Sequence, residues 1–265
     1  MLGTQLLIAA VLGLSTLSQE PMPDDQILAQ AEKVFREGIE AQAAPTTARE
    51  RFAAAAAGYE ELRRRGYQSA ALFRNQGNAY LLSGDVPRAV LAFRRGLWLA
   101  SGDRAMRSSL DYIRGQLASP YSVRSWRPLW LPRPAPSWLS GVAIGFYSAS
   151  WLALTRWWIV GGAWWLRAGL GCFLIAAVPA VDLGMQAWDR QEEIEHPAVV
   201  IANDGVKLRR GNGASYPVVA DIVLPRGTEA RWLYTRGDWL QIELARGRVG
   251  WVSRAGALVD ETQGN

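Results

Sequence analysis

The chain has 265 residues, a formal net charge of +5 and arginine for nearly every cation, Lys33 and Lys207 being its only lysines. Apolar and charged residues are balanced, which excludes a disordered bulk, and the length admits two or three domains. One cysteine, Cys172, and one histidine, His196, exclude an intramolecular disulfide and leave too little for a zinc site or for a Cys/His or Ser/His/Asp hydrolase.

Residues 6–14 form an apolar core of signal-peptide length, followed by a polar stretch in which Thr16 and Ser18 are small enough for a cleavage site. The first cation is Lys33, so residues 1–19 are read as a signal peptide or an uncleaved N-terminal anchor. Either outcome exports the chain from residue 20 to the first apolar span of the central hairpin. Residues 20–25, with Pro21 and Pro23, form a linker.

Residues 26–118 carry apolar side chains at helical spacing, broken at Pro45, Gly66, Gly84 and Gly102. Five helices are predicted, near 26–43, 47–65, 68–82, 86–100 and 103–117. The pair at 70–102 places Phe73, Gly77 and Tyr80 on one helix, Gly84-Asp85 in the turn, and Ala89 and Phe93 on the next. Small Gly77 and Ala89 let two helices approach closely, and Phe73, Tyr80 and Phe93 fill the space around them. This spacing resembles the 34-residue tetratricopeptide repeat, with Gln76 and Gly96 as departures. Thirty-four residues earlier stand Ala55 and Tyr59, which implies a preceding degenerate repeat that includes Phe35 and Gly38. Residues 103–117 then act as the capping helix. Arg74 and Asn78, one turn apart, are the partner-binding candidates, since together they suit a carboxylate or a peptide backbone. The plainer reading is a solvated surface pair, and the family's fuller carboxylate clamp is not met.

Residues 119–137 are a connector rich in proline, with Arg124, Arg127 and Arg133 and no acid. It lies on lipid phosphates or is a solvated linker. Residues 138–188 then read as a two-helix transmembrane hairpin, weighed against a soluble helical core. The first span is apolar through Thr155, and the second runs 168–181, extensible to Trp188. Gly161-Gly162 is the turn between them. Trp138, Trp157, Trp158, Trp164, Trp165 and Trp188 fall near the span ends, where amphipathic rings prefer the interface. Asp182 lies about 9 Å from that interface, so a carboxylate reaching toward the headgroups is preferred to a proton relay. Arg156 and Arg167 at the turn, with acids after Trp188, place the turn inside the cell; the cationic connector argues the other way. The export signal decides for soluble parts outside.

The run Ser69–Tyr80, the Gly84-Asp85 turn and the run Ala89–Arg95, followed by the tryptophan-rich double span, resemble the tetratricopeptide (E-type) component of Bacteroides-aerotolerance operons. The resemblance covers 28–188. It implies work in the bacterial envelope beside von Willebrand factor A-domain membrane proteins and a MoxR-type ATPase system.

From Pro197 the pattern changes to short β-rich runs near 199–202, 206–209, 218–223, 229–234, 239–244 and 247–252. So many strands in about 60 residues suggest a small barrel. The segments Val206–Gly213 with Tyr216-Pro217, Leu224–Gly227, Gly237-Asp238-Trp239 and Gly250-Trp251-Val252 are similar in order and spacing to bacterial SH3-like (SH3b) domains over 197–260, with Asn212 where proline is common. The resemblance implies contacts with peptidoglycan peptides or other envelope ligands. Residues 198–259 hold nine Lys/Arg against five Asp/Glu, which suits an anionic partner. Tyr216 and Asp238, on loops, are the ligand candidates, and Trp239 and Trp251 are read as barrel core.

The expected fold class is therefore multidomain: an all-α tetratricopeptide-repeat domain, a transmembrane helical hairpin and a small all-β SH3-like barrel. The expected function is a membrane-anchored envelope scaffold or adaptor in the bacterial inner (cytoplasmic) membrane, with its soluble domains on the periplasmic side. Its partners are proteins, membrane lipid and peptidoglycan, with no nucleic acid, cofactor or metal. No catalytic constellation is present, so an enzyme is not expected. The alternative is a signalling or transport accessory in which the hairpin is active, through Asp182 or Cys172.

Overall fold

The computed structural model describes residues 22–117, 138–195 and 198–260. The segment 1–19, the connector 119–137 and His196 lie outside the described residues, as do the side chains of Asp182 and Trp188. The chain divides into two compact units, one ending at Gln68 and one beginning at Ser69.

The first unit is a helix pair, α1 (Asp24–Glu40) and α2 (Pro45–Arg64), joined through a 3₁₀ turn at Ala41–Ala43. Close approach sets its packing. A Cβ on Gly38 would come within 2.8 Å of the Phe52 ring, and one on Gly58 within 2.9 Å of the Ala31 Cβ. Phe35 meets Phe52 edge-on with ring centroids 5.2 Å apart. The chain ends of the pair are tied together: Tyr67 Oη and Arg65 Nη1 donate to Asp24 at 2.6 and 2.8 Å.

The second unit begins with α3 (Ala70–Ser83), α4 (Val86–Leu99) and α5 (Arg104–Leu117). Each start is capped by a side-chain oxygen. Ser69 accepts from Leu72 N–H at 3.1 Å, Asp85 from Arg88 N–H at 3.2 Å and Asp103 from Met106 N–H at 3.0 Å. Gly84 ends α3 at φ +90°, a left-handed position that glycine enters without a Cβ clash.

Next come α6 (Trp138–Val160) and α7 (Ala163–Glu195), packed along each other and joined at Gly161-Gly162, both at positive φ. Their burial is inverted relative to a soluble pair. Ala143, Ser150, Ala153 and Ala176 are buried, while Leu152, Trp158, Ile159 and Trp164 are 72–87% exposed. The seam is close: a Cβ on Gly169 would lie 3.0 Å from Leu154. The sequence predicts two membrane spans. Among the described residues one helix, Ala163–Val181, is long and apolar enough to cross, with mean hydropathy 1.6 over its 19 residues. Helix α6 has the length, at 23 residues, but tryptophans, Ser148, Ser150, Thr155 and Arg156 lower its hydropathy. Two of those hydroxyls bond back to their own helix: Ser148 Oγ donates to Ile144 O at 2.9 Å and Thr155 Oγ1 to Trp151 O at 2.8 Å.

The chain ends in a seven-stranded antiparallel sheet: β1 (Ala198–Ile201), β2 (Val206–Arg209), β3 (Val218–Leu224), β4 (Glu229–Arg236), β5 (Trp239–Leu244), β6 (Arg248–Ser253) and β7 (Ala257–Val259). The spatial order is β3-β2-β6-β5-β4-β1-β7. One core cluster draws on Ile222 and Leu224 of β3, Val199 and Ile201 of β1, and Leu240 and Ile242 of β5, so the sheet wraps around a single core. Helices α4 and α5 pack against β1 and β7; Val200, fully buried, joins Val90, Met106 and Ile113 in the second cluster. The helical residues from Ala70 and the sheet thus belong to one compact unit.

Candidate functional site

In the helices, Gly77 faces Phe93: a Cβ there would lie 2.6 Å from that ring. Phe73, Ala89 and Phe93 are buried, and Phe73 lies beside Gly96 together with Met106. Tyr80 is half-buried, and the Arg88 guanidinium stands 5.9 Å from its ring centroid. Of the partner-binding candidates, Arg74 already faces a carboxylate of its own chain, Asp103, at 3.2 Å. Asp103 at the same time caps α5. A partner's carboxylate would therefore have to compete with Asp103. Asn78 is half-buried one turn further along α3.

In the sheet, Tyr216 and Asp238 sit on different loops, β2–β3 and β4–β5. The Tyr216 ring covers the Gly211–Gly213 turn so closely that a Cβ on Gly211 would lie 2.5 Å from it. Its carbonyl accepts from Arg209 Nη1 at 2.7 Å. Asp238 is exposed, and its carbonyl accepts from Arg254 N–H at 2.8 Å.

The register corrects the placement of the tryptophans. Leu240, Ile242 and Leu244 of β5 point into the core, so Trp239 and Gln241 point out. Val252 points in, so Trp251 points out. Neither Trp239 nor Trp251 belongs to the core cluster; Trp232 of β4, opposite Ile242, is the tryptophan that packs against it. Arg209, Trp251, Gln241 and Tyr234 lie opposite one another on β2, β6, β5 and β4. They form one outward row about 14 Å long at roughly 4.8 Å per strand. Tyr234 meets Trp251 edge-on at 6.4 Å and is 59% exposed.

Residues 204–258 match the bacterial SH3 domain family. The match runs from the β1–β2 turn into β7 and leaves β1 outside it. No curated protein and no solved structure matches the chain.

What sequence reasoning missed is the clamp between the helices and this SH3 domain. Glu229, at the start of β4, is almost fully buried, and Arg94 of α4 and Arg114 of α5 both donate to it, at 2.7–2.9 Å. Asp260, just after β7, is fully buried and accepts from Arg95 Nε at 2.8 Å. Burial alone would push the Glu229 carboxyl up, but the Arg114 hydrogen bonds and the two guanidinium charges outweigh it. The carboxyl is held below its ordinary value. Adjacent arginines on α4, each reaching a different buried acid, were the available signal. Among the described residues no group of three or more His, Cys, Asp or Glu could hold a metal ion.

Proposed function

We propose that the chain is a membrane-anchored adaptor of the bacterial envelope. In this reading the α6–α7 hairpin is the anchor, the helices bind a protein partner and the SH3 domain binds a cell-wall or protein ligand. The observation that carries it is the position of the inverted hairpin within one soluble body. Large apolar side chains outside and small residues on the seam are what helix pairs adopt in lipid, where no hydrophobic force joins them. In water the same side chains would be an exposed apolar surface, of the kind that marks a membrane or protein contact.

The helix–sheet clamp adds a topological constraint. Residues before the hairpin (Arg94, Arg95, Arg114) pair with residues after it (Glu229, Asp260), so both belong on one side of any membrane. One crossing by α7 alone would separate them. The hairpin must cross an even number of times, and α6, though less apolar, is the partner span. Two of its hydroxyls, on Ser148 and Thr155, are already satisfied within the helix, which lowers the cost of burying them in lipid.

The tetratricopeptide resemblance, the von Willebrand factor A-domain and MoxR-type partners, and the periplasmic side are carried into this proposal from the sequence. Protease treatment of spheroplasts tests the topology. Cleavage of both soluble parts from outside is expected; cleavage of one alone sinks the hairpin, and protection of both reverses the orientation. Affinity purification from detergent extract tests the partners, and recovery of neither class counts against the operon resemblance.

A further inference from the structure

The α6–α7 hairpin is electrically polar along its length. From Trp138 to Val181 it holds no acid, and its two cations, Arg156 and Arg167, stand on either side of the turn. Glu192, Glu193 and Glu195 belong to the opposite end of α7, where the chain returns to the sheet. Arg156 precedes Gly161 by five residues and Arg167 follows Gly162 by five, so both lie at one depth, about 7.5 Å from the turn. Arg156 is also eighteen residues beyond Trp138, about 27 Å along α6, close to one hydrocarbon thickness of roughly 30 Å. With Trp138 in the near interface, the two guanidinium groups reach the phosphates of the far one. Both arginines are exposed, and among the described residues neither forms a hydrogen bond or an ion pair. The Arg156 guanidinium stands 5.8 Å from the Trp165 ring centroid, a cation–π contact that steadies the group without neutralising it. Trp158 and Trp164, 87% and 72% exposed, flank the turn as interface rings. Orientation during insertion would be served by the same charges anywhere in a short loop. Equal depth and a ring-held guanidinium are what a headgroup contact needs.

We infer that the turn end of the hairpin is a binding site for anionic phospholipid headgroups in the leaflet remote from the soluble body. Arg156 and Arg167 each donate charge-assisted hydrogen bonds to a lipid phosphate, and the tryptophans lie beside them at the level of the glycerol backbone. Charge decides the lipid class. A zwitterionic headgroup carries its own ammonium into a site that has two guanidinium groups and no acid to receive it. Phosphatidylglycerol and cardiolipin bring phosphate without a cation. The inference deepens the adaptor reading: it rests on the hairpin as anchor and adds the lipid class and the residues that select it.

The test titrates the full chain, in nonionic detergent micelles, with short-chain phosphatidylglycerol and separately with phosphatidylcholine, following tryptophan fluorescence. Phosphatidylglycerol is expected to bind more tightly. Arg156→Gln and Arg167→Gln should each weaken it about fivefold, the ordinary worth of one arginine at an anionic lipid surface, and leave phosphatidylcholine unchanged. Arg156→Lys/Arg167→Lys should keep most of the preference. These variants change exposed side chains, and an unchanged melting temperature of the helix–sheet unit verifies their fold. Equal affinity for the two lipids, unchanged binding in the glutamine variants, or a lysine pair that behaves like the glutamine pair overturns the proposal. So does loss of the preference in Arg124→Gln/Arg127→Gln/Arg133→Gln, which would move the site to the connector. Displacement by inorganic phosphate, beyond the effect of chloride at equal ionic strength, also overturns it and would make the arginines a soluble-anion site. Flotation with pure phosphatidylcholine vesicles separates this inference from the reading beneath it. A chain that floats but shows no preference keeps its anchor and loses the headgroup site; a chain that does not float loses both.

Discussion

Arg114 grips Glu229 with two parallel hydrogen bonds, Nε to Oε1 at 2.7 Å and Nη2 to Oε2 at 2.9 Å, across 115 residues of sequence. The whole α6–α7 hairpin lies between them. Arg94 adds a third bond to the same carboxylate, at 2.8 Å. Removing Arg114 takes two hydrogen bonds from a buried carboxylate and leaves Arg94 as its cation. Arg114→Ala is therefore expected to destabilise the helix–sheet unit by about 1.5–3 kcal/mol. The expected readout in thermal unfolding is a lower midpoint for helix and sheet signals together. A sheet that melts unchanged while the helices weaken would show that the clamp does not couple them.

The same carboxylate makes stability depend on pH with a definite sign. Glu229 is held below its ordinary value in the folded chain. Its contribution is thus complete above the unfolded value, near pH 4.3–4.5, and is lost as pH falls through the lower folded value. Denaturant titrations between about pH 3 and 7 should show a flat upper limb and a fall below about pH 4.5. Glu229→Gln should reduce that fall. An unaltered pH profile in the variant would assign the acid sensitivity to other carboxylates.

Much of the architecture was legible from local signals, and the reasons for the rest are physical. Prolines and glycines marked the helix breaks: Pro45 opens α2, and Gly84-Asp85 forms the turn between α3 and α4. Strands β1 to β6 followed from their β-rich runs and turns, while β7, three residues long, is too short to show a period. Trp239 and Trp251 misled because bulk suggested core, although their alternation with Leu240 and Val252 carried the opposite answer. Glu229 and Asp260 do not stand out in the sequence, because nothing local reveals that three arginines from distant helices cover them. Arg74 showed its charge in sequence but not its occupant, Asp103, 29 residues on.

The contact between Gly77 and Phe93 gives a packing prediction. A methyl at Gly77 would sit 2.6 Å from the Phe93 ring, which is fully buried and has little room to move. Gly77→Ala should therefore destabilise by about 1–3 kcal/mol despite its better helix propensity. Phe93→Leu in the same chain should recover part of that loss, since the smaller side chain opens the space. Additive losses in the double-mutant cycle would show that the two residues do not share the constraint.

The last prediction separates lipid from water around the hairpin. Leu152 of α6 and Leu174 of α7 are 72% and 67% exposed on its outer surface. On a helix facing water, an arginine at such a site would change stability by no more than about 0.5 kcal/mol. Near the middle of a bilayer it costs roughly 2.5–3.5 kcal/mol. Leu152→Arg and Leu174→Arg should each deplete the protein retained in membranes after alkaline carbonate extraction, and the double change should deplete it further. Because α6 is the less apolar of the two, Leu152→Arg is the sharper probe: if it leaves retention unchanged while Leu174→Arg does not, α7 is held by lipid and α6 is not. That outcome would contradict the even number of crossings proposed from the Arg114–Glu229 clamp.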